Sequence, residues 1–283
     1  MLLRSARALK LVLPKEHGSW AVLIAPAAAG FAAAAGGSAA IIFLFSCAAL
    51  GAFLLRPALQ ALISTKREPA AWASGLFYGL LSLCGVVPLL FFFGRWWLVG
   101  LAAPAGGLLA IELFVRRGKP SFSIASELSG IAVLCLSAPA AYYSARGALE
   151  ADAWFVWMLS ALYFSGPVFH VKMAALQHRA SSARALTGEF ARMRRRSLAY
   201  HFVALIAVVA AAAYSLVPVP TPLPFAISLA KTWRRGELPP AKVDFRRLGY
   251  QEVGYSVVFA IVLVLGYLAR GGTCSGVSSS RFS

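Results

Sequence analysis

Long apolar runs, separated by short gaps that hold nearly all of the positive charge, limit this chain to very few architectures. A run of about 17–25 apolar residues is what a helix needs to cross a bilayer. Nine such runs can be drawn, at 20–35, 39–55, 71–93, 97–115, 124–144, 153–169, 198–218, 221–230 and 253–269. The eighth is short and opens with Pro218, Pro220, Pro222 and Pro224, so a re-entrant path or an extension into Lys231–Trp233 is its alternative. With the N-terminus inside, only Arg95, Arg146, Arg270 and Arg281, of 27 Lys and Arg, fall on the outer side. Omitting the eighth run would move the basic cluster from Lys231 to Arg247 outside and break this positive-inside pattern. The expected fold class is therefore all-α: a polytopic transmembrane bundle of about nine spans, N-terminus in and C-terminus out.

Composition excludes a soluble nucleic-acid binder. The formal net charge is +17, yet 60% of residues are hydrophobic, only 13% are charged and the mean hydropathy is +0.73. A soluble domain carries roughly 25% charged residues. Basic residues that interrupt apolar runs match an anionic cytoplasmic leaflet, and membrane lipids are the expected partners rather than nucleic acid. The expected organisation is a basic cytoplasmic N-terminus at 1–19, a transmembrane domain at 20–269 with a long basic cytoplasmic loop at 170–197, and a disordered tail at 270–283. Within that loop, Arg184 to Arg196 fit either a surface amphipathic helix or a plain topological anchor. A retained first helix fits better than a cleaved signal peptide, because so many spans follow it. The cysteines show no C-x-x-C spacing, and Cys47, Cys84 and Cys135 lie in apolar runs as small hydrophobes. No metal and no cofactor are expected.

Ionisable groups at membrane depth are costly and become functional candidates by default. In the nine-span arrangement Lys15, Glu16, His17, Arg56, Glu127, His170 and Lys172 all fall at the cytoplasmic boundary and could line one ligand-binding cavity there. Glu127 is the natural counter-ion for Arg56 or Lys172. Glu112 needs a cation such as Arg116. Glu16, Glu127 and Glu252 each precede an apolar run, so a first-turn carboxylate interacting with the helix dipole is the competing reading; for Glu252 it is the preferred one. His201 reads as a packing histidine and His178 as a solvated one. Gly75-x-x-x-Gly79 allows close helix approach. Pro26, Pro88, Pro104, Pro139 and Pro167 predict kinks. Nucleotide-binding, serine-hydrolase and zinc-protease motifs are absent from the sequence.

The segment Leu13-Pro-Lys-Glu-His-Gly-Ser-Trp-Ala-Val-Leu-Ile-Ala-Pro-Ala-Ala-Ala-Gly30 resembles the N-terminal signature of the YwiC-like family of bacterial membrane proteins. Ala140-Ala-Tyr-Tyr143 and Gly166-Pro-Val-Phe-His-Val-Lys172 agree in placement. The resemblance implies a bacterial cytoplasmic membrane location and carries no established activity. A weaker likeness, through Pro26 and Gly30, the span count and the orientation, is to UbiA-type prenyltransferases. That family holds Mg²⁺ and a prenyl diphosphate on Asp-rich motifs. Here the corresponding places read Arg56-Pro-Ala-Leu-Gln60 and His170-Val-Lys-Met-Ala-Ala-Leu-Gln-His178, so Mg-dependent prenyl transfer is not expected. Whether the protein is an enzyme stays open. The expected function is binding of an anionic lipid-like or isoprenoid/quinone-related ligand in a cytoplasm-facing cavity. The alternative is a small-solute permease or an accessory subunit of a membrane complex.

Overall fold

The computed structural model describes residues 11–13, 17–63, 69–115, 124–183, 188–238 and 242–277. They form α1 (His17–Ala33), α2 (Ala39–Ile63), α3 (Pro69–Phe91), α4 (Trp97–Val115), α5 (Ile124–Leu134), α6 (Ser137–Arg146), α7 (Ala151–Ala183), α8 (Gly188–Ala213), α9 (Pro222–Glu237) and α10 (Phe245–Val277). No strand occurs among the described residues. Six helical stretches are long and apolar enough to cross a membrane: Ala39–Leu62, Ala70–Phe91, Ile124–Arg146, Ala151–Arg179, Gly188–Ala213 and Phe245–Gly271. The protein is therefore an all-α membrane protein. Gly18–Ala33 and Trp97–Ile111 are shorter apolar helices, and α9 is amphipathic, closing on Arg234 and Arg235.

The chain divides into two compact units. The first holds α2, α3 and α4, and the second α1 and α5 to α10. In the first, α2 and α3 pack along their length because glycine removes the side chain where the backbones meet. A Cβ at Gly51 would strike the backbone of Tyr78 and Ser82, and one at Gly85 the backbone of Leu44 and Ala48. The Gly75-x-x-x-Gly79 pattern is not the contact. Gly79 faces open space, and a Cβ at Gly75 would make only an ordinary contact with Leu62, at 3.6 Å. The Val12 amide donates to Ser74 Oγ (3.0 Å) and the Tyr78 hydroxyl to the Val12 carbonyl (3.1 Å), tying the segment before α1 to α3.

In the second unit α1 lies against α6, α7 and α10. Gly30 sits so close to the Ala138 backbone that a Cβ would overlap its carbonyl. The Ser137 hydroxyl donates to the Leu23 carbonyl at 3.0 Å in the same seam. One apolar span is broken into α5 and α6 by Pro139, whose ring excludes the carbonyl four residues earlier, at Cys135. The backbone responds with tight bonds from Leu136 N to Val133 O and from Ala138 N to Cys135 O. At the centre, Tyr163 stacks on Phe259 (4.1 Å between centroids, 6° between planes), with Phe164 and Phe225 edge-on. Burial of Tyr163 is compatible with its hydroxyl because that group donates to the Tyr255 carbonyl at 2.8 Å. Large apolar side chains such as Phe43, Leu76, Phe91, Ile206, Val258 and Leu265 point outward. That arrangement suits hydrocarbon rather than water.

Two expectations change. The segment 170–197 is not a loop: α7 runs to Ala183 and α8 starts at Gly188, so Arg192 to Arg196 form early turns of a spanning helix. Arg, Gln, Met and Ala are good helix formers, and a charged end does not stop a helix whose apolar part is already packed. α10 likewise continues to Val277, beyond the point where a tail was expected; residues 278–283 lie outside the described set.

The seam at Gly30 yields a prediction. Gly30→Ala must displace the Ala138 backbone and is expected to cost about 1–3 kcal/mol, read as a lower melting temperature in detergent. Gly79→Ala, in open space, should leave melting unchanged or raise it slightly.

Candidate functional site

A buried set of ionisable groups in the second unit gathers toward the end where α7 and α9 finish and α8 and α10 begin, while Arg146 with Glu150 and Asp152 with Arg270 pair at the opposite, more exposed end. Helix α7 supplies His170, α8 His201, α9 Lys231, Thr232 and Arg235, and α10 Glu252 and Tyr255. Lys231 Nζ donates to both oxygens of Glu252 at 2.8 Å, and each side chain is only 13% exposed. His170 Nε2 lies 3.8 Å from Glu252 Oε1, and the residue is 2% exposed. Lys231 also sits over the Tyr255 ring, 4.6 Å from its centroid. A bidentate, desolvated bridge is the arrangement in which burying a charge pair is tolerable, because both charges find donors or acceptors.

His201 is oriented by the backbone. Its Nδ1 is 2.7 Å from the Ser197 carbonyl, an acceptor, so Nδ1 carries the proton and Nε2 is the acceptor. Thr232 Oγ1 approaches Nε2 at 3.4 Å as the donor. Gly166 makes room for the ring, since a Cβ there would lie 2.8 Å from Nε2. His201 is thus a packing histidine, as expected, joined to α9 by a polar contact.

Two hollows flank the last turns of α9. One, of about 840 Å³, runs between α8 and α9 and is lined by Phe190, Leu198, Phe202, Leu229 and Trp233 together with Arg194 and Arg195. Arg194 lies flat against Gly236, where a Cβ would be 2.7 Å from Nε. That buried Nε has no hydrogen-bond partner among the described residues. The other, of about 290 Å³, is formed by Gln177, Arg235, Leu238, the 242–244 segment and the start of α10. Gln177 donates to the carbonyls of Arg235 (3.3 Å) and Leu238 (2.8 Å). His178 is not a freely solvated histidine: its Nδ1 accepts from the Val243 amide at 3.0 Å, and its ring meets Phe245 edge-on.

Of the residues anticipated from sequence, Glu127 and Lys172 pair at 2.9 Å and are each about a third exposed. His170 joins the buried cluster. Lys15 and Glu16 lie outside the described residues, as do the side chains of His17 and Glu112. Arg56 is on α2, in the first unit, and is half-buried there. Glu252 is not a first-turn carboxylate. Helix α10 starts at Phe245 and has no acid in its first turn, because Asp244 takes that place by accepting from the Arg246 and Arg247 amides. Sequence reasoning missed Lys231 and Arg235 as site residues by counting them only as inside charge. Their spacing of four on an amphipathic helix was the available signal.

The two ion pairs should behave differently. Glu252→Gln leaves Lys231 buried without a counter-ion and is expected to cost about 3 kcal/mol or more. Glu127→Gln, at a wetter pair, should cost no more than about 1 kcal/mol. Thermal unfolding of the two variants in the same detergent checks the ranking.

Comparison with known proteins places the N-terminal half. The family model described as YwiC-like protein matches residues 13–142. The uncharacterized protein YwiC of Bacillus subtilis (strain 168) is 26% identical over 166 residues, covering 58% of this chain and 67% of the relative. No solved structure matches. The family match ends at Tyr142, before the helices that carry the buried cluster, and the likeness to prenyltransferases is not shown by these matches. The signature from Leu13 to Gly30 lies within the matched region: over residues 13–142 this membrane protein is similar to the family described as YwiC-like protein.

Proposed function

We propose that the protein is a binding protein of the bacterial cytoplasmic membrane, N-terminus inside, that holds an anionic lipid-like molecule in the groove between α8 and α9. The observation that carries this reading is the pairing of chemistry along the groove. Leu198, Phe202, Leu229 and Trp233 offer an apolar wall, and Arg194 and Arg195 line the same hollow beside it. An amphiphile with a negative head needs both, and a guanidinium presents several donors in a plane suited to carboxylate or phosphate oxygens. The volume falls in the range of small-molecule sites. Isoprenoid and quinone-related acids are the chemical class that fits a long apolar wall with a single charged end.

In this reading Glu127 and Lys172 neutralise each other, and the ligand's charge is met by α8 instead. Lys15, Glu16, His17 and Arg56 remain sequence-based candidates for a ligand contact, separate from this groove. A small-solute permease is the second reading. It is favoured by the break between α5 and α6 within one span and by the ionisable cluster of α7 to α10, since interrupted helices and buried charge accompany transport pathways.

The groove can be tested through Gly236. Gly236→Ala pushes against the Arg194 side chain while keeping every charge. Brominated anionic lipid should quench Trp233 fluorescence, measured as the difference between the parent protein and Trp233→Phe. Gly236→Ala and Arg194→Gln should each weaken that quenching several-fold, while brominated zwitterionic lipid should quench equally in all. Equal quenching by anionic lipid in parent and Arg194→Gln would defeat the reading.

A further inference from the structure

We propose that the smaller pocket, at the joined ends of α7, α9 and α10, is a separate binding site for a phosphate-class oxyanion held by Arg235. The proposal goes beyond the lipid groove, which lies on the α8 side of α9 and shares none of these side chains.

The charge balance of the buried cluster is the first argument. Glu252 is occupied by both of its contacts with Lys231, and His170 and His201 carry no negative charge whether protonated or not. Two cations, Lys231 and Arg235, therefore share one carboxylate. The second argument is the state of Arg235 itself. Its Nε and Nη2 are shielded from solvent and find no hydrogen-bond partner among the described residues. Leaving donors of a charged group buried and unmet costs more than leaving neutral ones so. A second set of orphaned donors would be a defect in a soluble core, but here Arg235 forms part of the wall of an open pocket. An oxyanion in that pocket would supply the missing charge, and the missing acceptors once the Arg235 side chain turns its shielded donors toward it.

The surroundings suit such an ion. Lys242 and Arg247 line the same pocket and are exposed, so they can reach a bound anion without being desolvated first. The one carboxylate on the wall, Asp244, is turned to the start of α10, where its Oδ1 accepts from the amides of Arg246 (2.9 Å) and Arg247 (3.2 Å). Gln177 occupies the two carbonyls at the end of α9 that would otherwise repel an anion. His178 fixes the 242–244 segment through the Val243 amide. At about 290 Å³ the space suits an ion with a few waters and not a lipid chain. The same oxygens could come from free phosphate or from the phosphomonoester head of a lipid whose chains lie outside the pocket.

The test uses full-length protein in nanodiscs of zwitterionic lipid, titrated with inorganic phosphate by calorimetry. A second arm uses nanodiscs containing a phosphomonoester lipid, read by the shift in its ³¹P resonance. Binding in at least one arm is expected, and the arm that responds identifies the source. Arg235→Gln should weaken it at least about tenfold, as expected for loss of charged hydrogen bonds, and Arg247→Gln more modestly. Arg235→Lys keeps the charge without the planar fork and gives a readable variant if Arg235→Gln does not fold. Arg194→Gln should leave this binding intact, even where it abolishes lipid quenching in the groove. The proposal is overturned if neither arm shows binding. It is also overturned if binding survives in both Arg235→Lys and Arg247→Gln, or is lost equally with Arg194→Gln.

Discussion

The bridge between Lys231 and Glu252 is the interaction on which the second unit's polar end depends. It joins α9 to α10, brings His170 of α7 alongside, and does so where each side chain is 13% exposed. Charges so placed cannot be left alone, because the desolvation of either is repaid only by the other. Helix α9 is amphipathic and short for a span. Its position is set by the burial of Phe225 at one end and, toward the other, by this bridge and the Gln177 contacts.

Elsewhere the helices are held by proximity rather than by polarity. Glycine permits the α1–α6 seam at Gly30 and the α2–α3 seam at Gly51 and Gly85. In hydrocarbon there is little hydrophobic gain from hiding one apolar face against another, so close backbone approach and the dispersion contacts that come with it carry more of the association. Within the second unit, the aromatic layer of Tyr163, Phe164, Phe225 and Phe259 separates that packing from the ionisable end. The Tyr163 hydroxyl reaches across to the Tyr255 carbonyl.

The two hollows beside α9 have different chemistry because opposite sides of one amphipathic helix face different neighbours. Toward α8, Leu229 and Trp233 meet Leu198 and Phe202. Toward α7 and α10, Arg235 meets Gln177 and the capped start of α10. A helix polar on one side and apolar on the other thus borders two hollows whose linings share no residue.

The all-helical class, the membrane location and the order of the apolar helices were legible in the sequence. They follow from local quantities: run length, hydropathy and the position of proline. The need of Glu127 for a cation was legible too, with Arg56 and Lys172 as the two choices, and the tertiary structure selects Lys172. The role of Glu252 was not, since its apolar sequel looked like a helix start and only Asp244 at the true start shows otherwise. Nor was the choice of Gly51 and Gly85 over Gly75 and Gly79, because spacing along one helix does not say which face meets a partner. The buried cluster and both pockets belong wholly to tertiary structure. They exist because α7 to α10 bring together residues such as His170 and Glu252, 82 positions apart, within 3.8 Å, a contact between helices that no periodicity along a single helix encodes.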